Sequence, residues 1–152
     1  MTRSKTVATW LALVGGSFGL HRFYLHGLRD VWGWLITLPS LVGAYGIHRM
    51  RELGQDDRLA WVLIPLLGFA LAASMLTAVI YGLRSDEKWN LQFSPSSPRT
   101  SGWLAIVGVA FALLIGTGTL MATIAFSAQR YFEYQAEAAS TQTQTQTPAS
   151  RR

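Results

Sequence analysis

"LAWVLIPLLGFALAASMLTAVIYGL", residues 59–83, holds no charged residue over 25 positions. A helix rises about 1.5 Å per residue and the hydrocarbon core of a bilayer is about 30 Å thick, so about 20 apolar residues suffice to cross it. A lone strand in lipid would leave backbone groups unpaired, so the expected form is a helix. Residues 103–126, "WLAIVGVAFALLIGTGTLMATIAF", form a second such run, uncharged over 24 positions. These two stretches predict an all-α, polytopic membrane protein.

Composition agrees. Half of the 152 residues are hydrophobic and 14% are charged, against about 25% charged in an ordinary soluble domain. The net charge is +5. A basic chain suits either nucleic acid or an anionic membrane surface. Here the charges are sparse and lie between apolar runs, so lipid is the expected partner and nucleic acid is not. The absence of cysteine excludes disulfides, iron–sulfur clusters and thiol nucleophiles.

Working outward, the first half predicts two further helices. Residues 6–20 are apolar and "HRFYL" extends that run to Leu25, while residues 31–47 are uncharged. The second run covers only about 25 Å as a helix. Pro39 should kink it, and Gly43 and Gly46 should loosen its end. We read residues 6–25 and 31–47 as a tight hairpin in which both arms cross; the alternative is a re-entrant or shallow hairpin. The expected order is a hairpin over 5–47, a polar loop at 48–58, spans at 59–83 and 103–126 separated by a polar loop at 84–102, a helical extension at 127–139, and a disordered tail at 140–152. "SPSSP" reads as an exposed linker, and "TQTQTQT" as a polar low-complexity tract with nothing to bury. Arg3 and Lys5 before an apolar run resemble a signal peptide, but "GGSFG" is a poor cleavage site.

Trp10, Trp61 and Trp103 lie near helix starts, Tyr24 and Tyr81 near helix ends, and Trp32 and Trp34 open the second helix. Such rings favour the headgroup level. Four spans place both termini on one side. Arg3, Lys5, Arg49, Arg51, Arg58 and Arg130 there stand against Arg22, Arg29, Arg84, Lys88 and Arg99 opposite. The narrow excess favours cytoplasmic termini.

Chemistry is scarce. No Walker loop, HExxH or nucleophile elbow occurs. His48 is expected across the membrane from His21 and His26, which opposes a three-histidine metal site. The acids lie outside the expected spans, whereas ion pathways usually carry an ionisable group within them. No cofactor is expected. Small residues offer more. Ala70, Ser74, Ala78 and Gly82 recur every four positions, as do Gly108, Ala112 and Gly116, with Gly15 and Gly19 on the first helix. Residues four apart share a helix face, and small ones let backbones approach, so these are candidate packing faces.

"KTVATWLALVGGSFGLHRFYLHG", residues 5–27, with the apolar segment after it, resembles the TM2 domain family. The matching positions are Gly16, Gly19, His21, Arg22, Phe23, Tyr24 and Leu25. The resemblance implies a helix ending in glycines and the Arg-Phe-Tyr block, then a short turn and a second helix; the arrangement looks like that of bacterial TM2-containing proteins, which implies a bacterial inner (plasma) membrane. Two departures stand out. His26 replaces the family's glycine, and the acid common near the end of the second helix is missing where Ile47, His48 and Arg49 stand. Read from the residues, Arg22 closes the first helix at the interface with its guanidinium toward phosphates or a helix-end carbonyl, and Phe23 and Tyr24 anchor the same level. A functional reading gives His21 and Arg22 an anionic headgroup or a partner. The expected function is therefore non-enzymatic: a membrane component that binds or organises lipids, a membrane-protein partner or further copies of itself. One alternative is a small oligomeric permeation unit whose polar face would be Thr37, Ser40, Ser74, Thr77, Thr117, Thr119 and Thr123; the other is a lipid-acting enzyme using His21 or His26.

Overall fold

The computed structural model describes residues 3–93 and 100–146, and all regular structure in them is helical. Helix α1 is Lys5–Gly15; a single 3₁₀ turn, Gly16–Phe18, separates it from α2, Leu20–His26. Then come α3, Val31–Leu53, α4, Arg58–Leu83, and α5, Asp86–Phe93; α6, Trp103–Gln146, closes the order. Helix α4 and the described part of α6 are long and apolar enough to cross a membrane. Only 17% and 28% of their most apolar windows are buried inside the fold. A core helix of a water-soluble domain would be mostly covered, so these helices and their exposed Leu, Ile and Phe side chains point to a membrane protein.

Residues 6–25 are not one helix. The chain breaks at Gly19, whose φ of 70° lies in the left-handed region, and the carbonyl oxygen of Gly33 lies 2.5 Å from where a β-carbon would be. Only glycine meets both conditions at low cost. The break turns the chain back on itself. The Tyr24 hydroxyl, at the end of α2, accepts from the Ser4 N–H at 3.1 Å, at the start of α1. The Arg3 guanidinium lies over the Tyr24 ring at 5.2 Å. Ala8 and Leu25 share one buried cluster with Trp89.

The tip of this hairpin lies deep in the bundle. Gly16 abuts Ser74, with Ser74 Cβ 2.8 Å from the position a Gly16 β-carbon would take. Ser74 is nine residues from the end of α4, so the tip reaches about 14 Å along that helix, near half a hydrocarbon core. Non-helical backbone at such depth must be satisfied by protein. Two hydroxyls one turn apart on α3 do this: Ser40 donates to the Ser17 carbonyl at 2.7 Å, and Thr37 to the Phe18 carbonyl at 2.9 Å. Gly19 N–H returns to the Gly16 carbonyl at 2.9 Å.

Helix α3 runs on to Leu53, so the loop read at 48–58 shrinks to residues 54–57. Gly43 and Gly46 do not loosen it. They let α4 approach: a β-carbon at Gly43 would lie 2.5 Å from Leu67 Cβ, and one at Gly46 would lie 2.6 Å from Leu63 Cβ. Pro39 and Pro65 both lie inside unbroken helices. The loop read at 84–102 contains α5, started by the Ser85 hydroxyl accepting from Lys88 N–H and by Asp86 and Glu87 at its positive end. Its Trp89 is 2% exposed and donates from Nε1 to the Arg3 carbonyl at 2.9 Å. "SPSSP" falls outside the described residues. Residues 140–146, read as disordered, continue α6 as helix; 147–152 lie outside the description.

The α4–α6 seam has a seven-residue period rather than a four-residue one. Gly68 meets Thr123, Met75 meets Gly116, and Gly82 meets Val109, in antiparallel order. A repeat of seven is the signature of left-handed helix pairing. The stripes of small residues serve a third helix as well. Thr9 of α1 packs between Gly82 and Gly108, and Ala12 joins Met75, Ala78 and Ala112 in one cluster. Ser74 takes the hairpin tip and Ala70 faces a cavity on the α3 side.

Candidate functional site

The HRFYL block ends the hairpin at a corner, and its residues go to different places. Arg22 Nε donates to Asp30 Oδ2 at 2.6 Å. Asp30 also caps α3 by accepting from Trp32 N–H at 3.3 Å. The Arg22 hydrogen bond holds the Asp30 carboxyl below the usual carboxylate range. His26 Nδ1 lies 4.0 Å from the same carboxylate. Arg22 thus meets an acid of the next turn, where a lipid phosphate or a helix-end carbonyl was expected. Phe23 covers Gly33 and packs on Trp34 with ring centres 5.3 Å apart. Tyr24 holds Ser4, as above. His21 turns inward: it is 2% exposed and meets Tyr81 edge-on, ring centres 5.8 Å apart.

The same corner is built again between α3 and α4. Arg49 Nε donates to Asp57 Oδ2 at 2.8 Å and its terminal nitrogen to Oδ1 at 3.1 Å. Asp57 caps α4 through Leu59 N–H at 3.3 Å. Gly54 has φ 91° where Gly27 has φ 88°. Trp61 Nε1 donates to the Gln55 carbonyl at 2.6 Å, as Trp34 Nε1 donates to that of Leu28 at 3.1 Å. The Arg49 hydrogen bond likewise lowers the Asp57 carboxyl. In sequence the two corners read "HRFYLHGLRDVWGW" and "HRMRELGQDDRLAW", with His, Arg, Gly, Asp and Trp each recurring 27 residues on. This repeat is present in the sequence but escapes a reading of it, because nine of its fourteen positions differ. Its logic is physical: a positive-φ glycine ends one helix, an aspartate caps the next, and an arginine four residues before the helix's last residue bridges to the cap.

The corners lie at opposite ends of α3. The first end also gathers the N-terminal residues and α5. Lys5 Nζ pairs with Asp86 at 2.6 Å and donates to the Arg84 carbonyl at 2.9 Å. Asp86 also accepts from the Ser101 hydroxyl at 2.7 Å and its N–H at 2.8 Å. Lys5 first, and Ser101 after it, bring the Asp86 carboxyl down to about 2.

Residues 1–47 match the family model of the TM2 domain. The TM2 segment takes in the hairpin, the first corner and most of α3. The second corner lies beyond it. No curated protein and no solved structure matches the chain.

Five of the seven residues read as a polar pore face, Thr117 and Thr119 being the others, donate to backbone carbonyls. Ser40 and Thr37 cap the hairpin tip; Ser74, Thr77 and Thr123 donate to the Ala70, Ala73 and Thr119 carbonyls of their own helices. Among the described residues no group of three or more His, Asp or Glu is placed to hold a metal ion.

Proposed function

We propose that the chain is an integral membrane protein crossing three times, through α3, α4 and α6, with residues 5–26 forming a re-entrant hairpin in place of a fourth crossing. Four crossings would require α1 and α2 to run end to end, whereas Tyr24 is bonded to Ser4. The amino end and the first corner then share a side, and the second corner and the far end of α6 share the other.

Charge separates these ends, and that is the observation that carries the functional reading. The first end holds Arg3, Lys5, Arg22, Arg29, Arg84 and Lys88 against Asp30, Asp86 and Glu87. The second holds Arg49, Arg51, Arg58 and Arg130 against Glu52, Asp56, Asp57, Glu133 and Glu137. A cationic face next to membrane spans favours the cytoplasmic side and the anionic lipids there, by about 1 kcal/mol per basic residue near the surface. We read the protein as a non-enzymatic inner-membrane component that engages anionic lipid headgroups, or an acidic membrane partner, through its TM2 end.

The test is native mass spectrometry of the protein from vesicles of phosphatidylcholine with or without phosphatidylglycerol. The expected result is preferential retention of phosphatidylglycerol, reduced when exposed Arg29 and Lys88 are changed to Gln. Equal retention of both lipids, unaffected by those changes, would remove the cationic face as the binding surface.

A further inference from the structure

The two corners are built alike, but their histidines are not used alike. His48 is exposed and lies 3.4 Å from Glu52 on its own helix. His21, the equivalent residue, is 2% exposed and its Nδ1 has no hydrogen-bond partner. The second corner completes its Arg–Asp pair, cap and tryptophan without burying a histidine. Corner geometry therefore does not account for His21. Buried polar groups in folded proteins are nearly always bonded, and an orphan one is costly.

His21 lines a cavity of about 400 Å³ between α2, α3 and α4. Helices α3 and α4 touch at Gly43 and Gly46, and further along the 3₁₀ turn stands between Ser40 and Ser74. The cavity walls include Trp32, Pro39 and Phe69, with Ser74 and Thr77. Those two hydroxyls already donate to their own helix, and among the lining side chains His21 carries the buried nitrogen without a hydrogen-bond partner. No charged side chain lines the space. Trp32 and Phe69 are 62% and 48% exposed, so the cavity opens sideways, toward the region lipid tails occupy.

We propose that this cavity binds an uncharged lipid alcohol of the diacylglycerol kind, its hydroxyl bonded to the His21 imidazole and its chain lying along Trp32 and Phe69. The proposal rests on the membrane reading above and adds a second, neutral site to it. A hydroxyl both donates and accepts, and so suits either imidazole nitrogen. A phosphate in the same place would bury its charge without a counter-ion.

The probe is a photoreactive, alkyne-tagged diacylglycerol in phosphatidylcholine vesicles holding the full-length protein, with labelled peptides mapped by mass spectrometry. Label is expected on segments 31–39 and 66–77. It should fall about fivefold in His21→Phe, the equivalent of one hydrogen bond, and recover in His21→Gln. If His21→Phe does not accumulate, Ala73→Leu, which fills the cavity from an exposed position, should remove the label instead. Label spread evenly over the helices, label indifferent to these changes, or equal labelling by a phosphatidic acid probe with the same chains would each overturn the site. Cysteine labelling of the same vesicles separates the two readings. Positions 28 and 55 on opposite faces with no specific lipid label defeat the cavity alone; both on one face defeat the membrane arrangement beneath it.

Discussion

Ser40→Ala tests the hairpin tip directly. Ser40 is 1% exposed and its hydroxyl donates to the Ser17 carbonyl, in a turn that lies off the regular helical ladder. Removing that donor leaves a buried carbonyl with neither protein nor water to bond. An average hydrogen bond between membrane helices contributes about 0.6 kcal/mol, but an orphaned buried acceptor costs about 1–3 kcal/mol. We expect a loss of about 1–2 kcal/mol. Ser74→Ala is the matched control. Ser74 is 2% exposed and also donates one hydrogen bond, at 2.8 Å, but to the Ala70 carbonyl within α4, which keeps its helical partner. Its expected loss is below about 0.5 kcal/mol. Reversible unfolding in mixed micelles by added sodium dodecyl sulfate, followed by tryptophan fluorescence, measures both. Equal losses for the two alanines would refute the idea that Ser40 caps a re-entrant tip.

Along the α4–α6 seam, Gly116→Leu should be destabilising by about 1–3 kcal/mol through overpacking against Met75, while Gly118→Leu, with open space around it, should be tolerated in the same assay. Arg49 holds Asp57 with two nitrogens and Arg22 holds Asp30 with one, so Lys at 49 should raise protease cleavage near its corner more than Lys at 22. The Lys5–Asp86 pair stabilises docking of the N-terminal residues above the unfolded carboxylate value near 4. Because the folded carboxyl lies at about 2, that stabilisation is lost as pH falls from about 4 through about 2. Quenching of Trp89 should change across that window in the native chain and stay flat in Asp86→Asn.

The long uncharged runs were legible because hydropathy over about twenty residues reports on lipid directly, and the TM2 segment because its glycines and HRFYL block resemble the family's. The direction of residues 5–26 was not. An apolar stretch reads the same whether it crosses or turns back, and the decision rests on Gly19, Ser40 and Thr37, three polar or small residues drawn from two separate segments. The two hydroxyls look like a pore face until the tip is placed beneath them. Gly43 and Gly46 look like helix breakers until a second helix lies against them. Helix α5 was hidden by its polar composition, since only Trp89 and Phe93 carry its apolar face. The repeated corner was readable in principle, because Arg, Gly, Asp and Trp recur at one spacing. Its copies share chemistry at five positions and differ at those between.

Sidedness tests the fold's central feature most directly. The chain has no cysteine, so Arg3→Cys, Leu28→Cys, Gln55→Cys and Ser140→Cys each report one position to a membrane-impermeant maleimide in sealed vesicles. A re-entrant hairpin with three crossings predicts that 3 and 28 react from one face and 55 and 140 from the other. Positions 3 and 55 reacting from the same face, with 28 opposite, would contradict it.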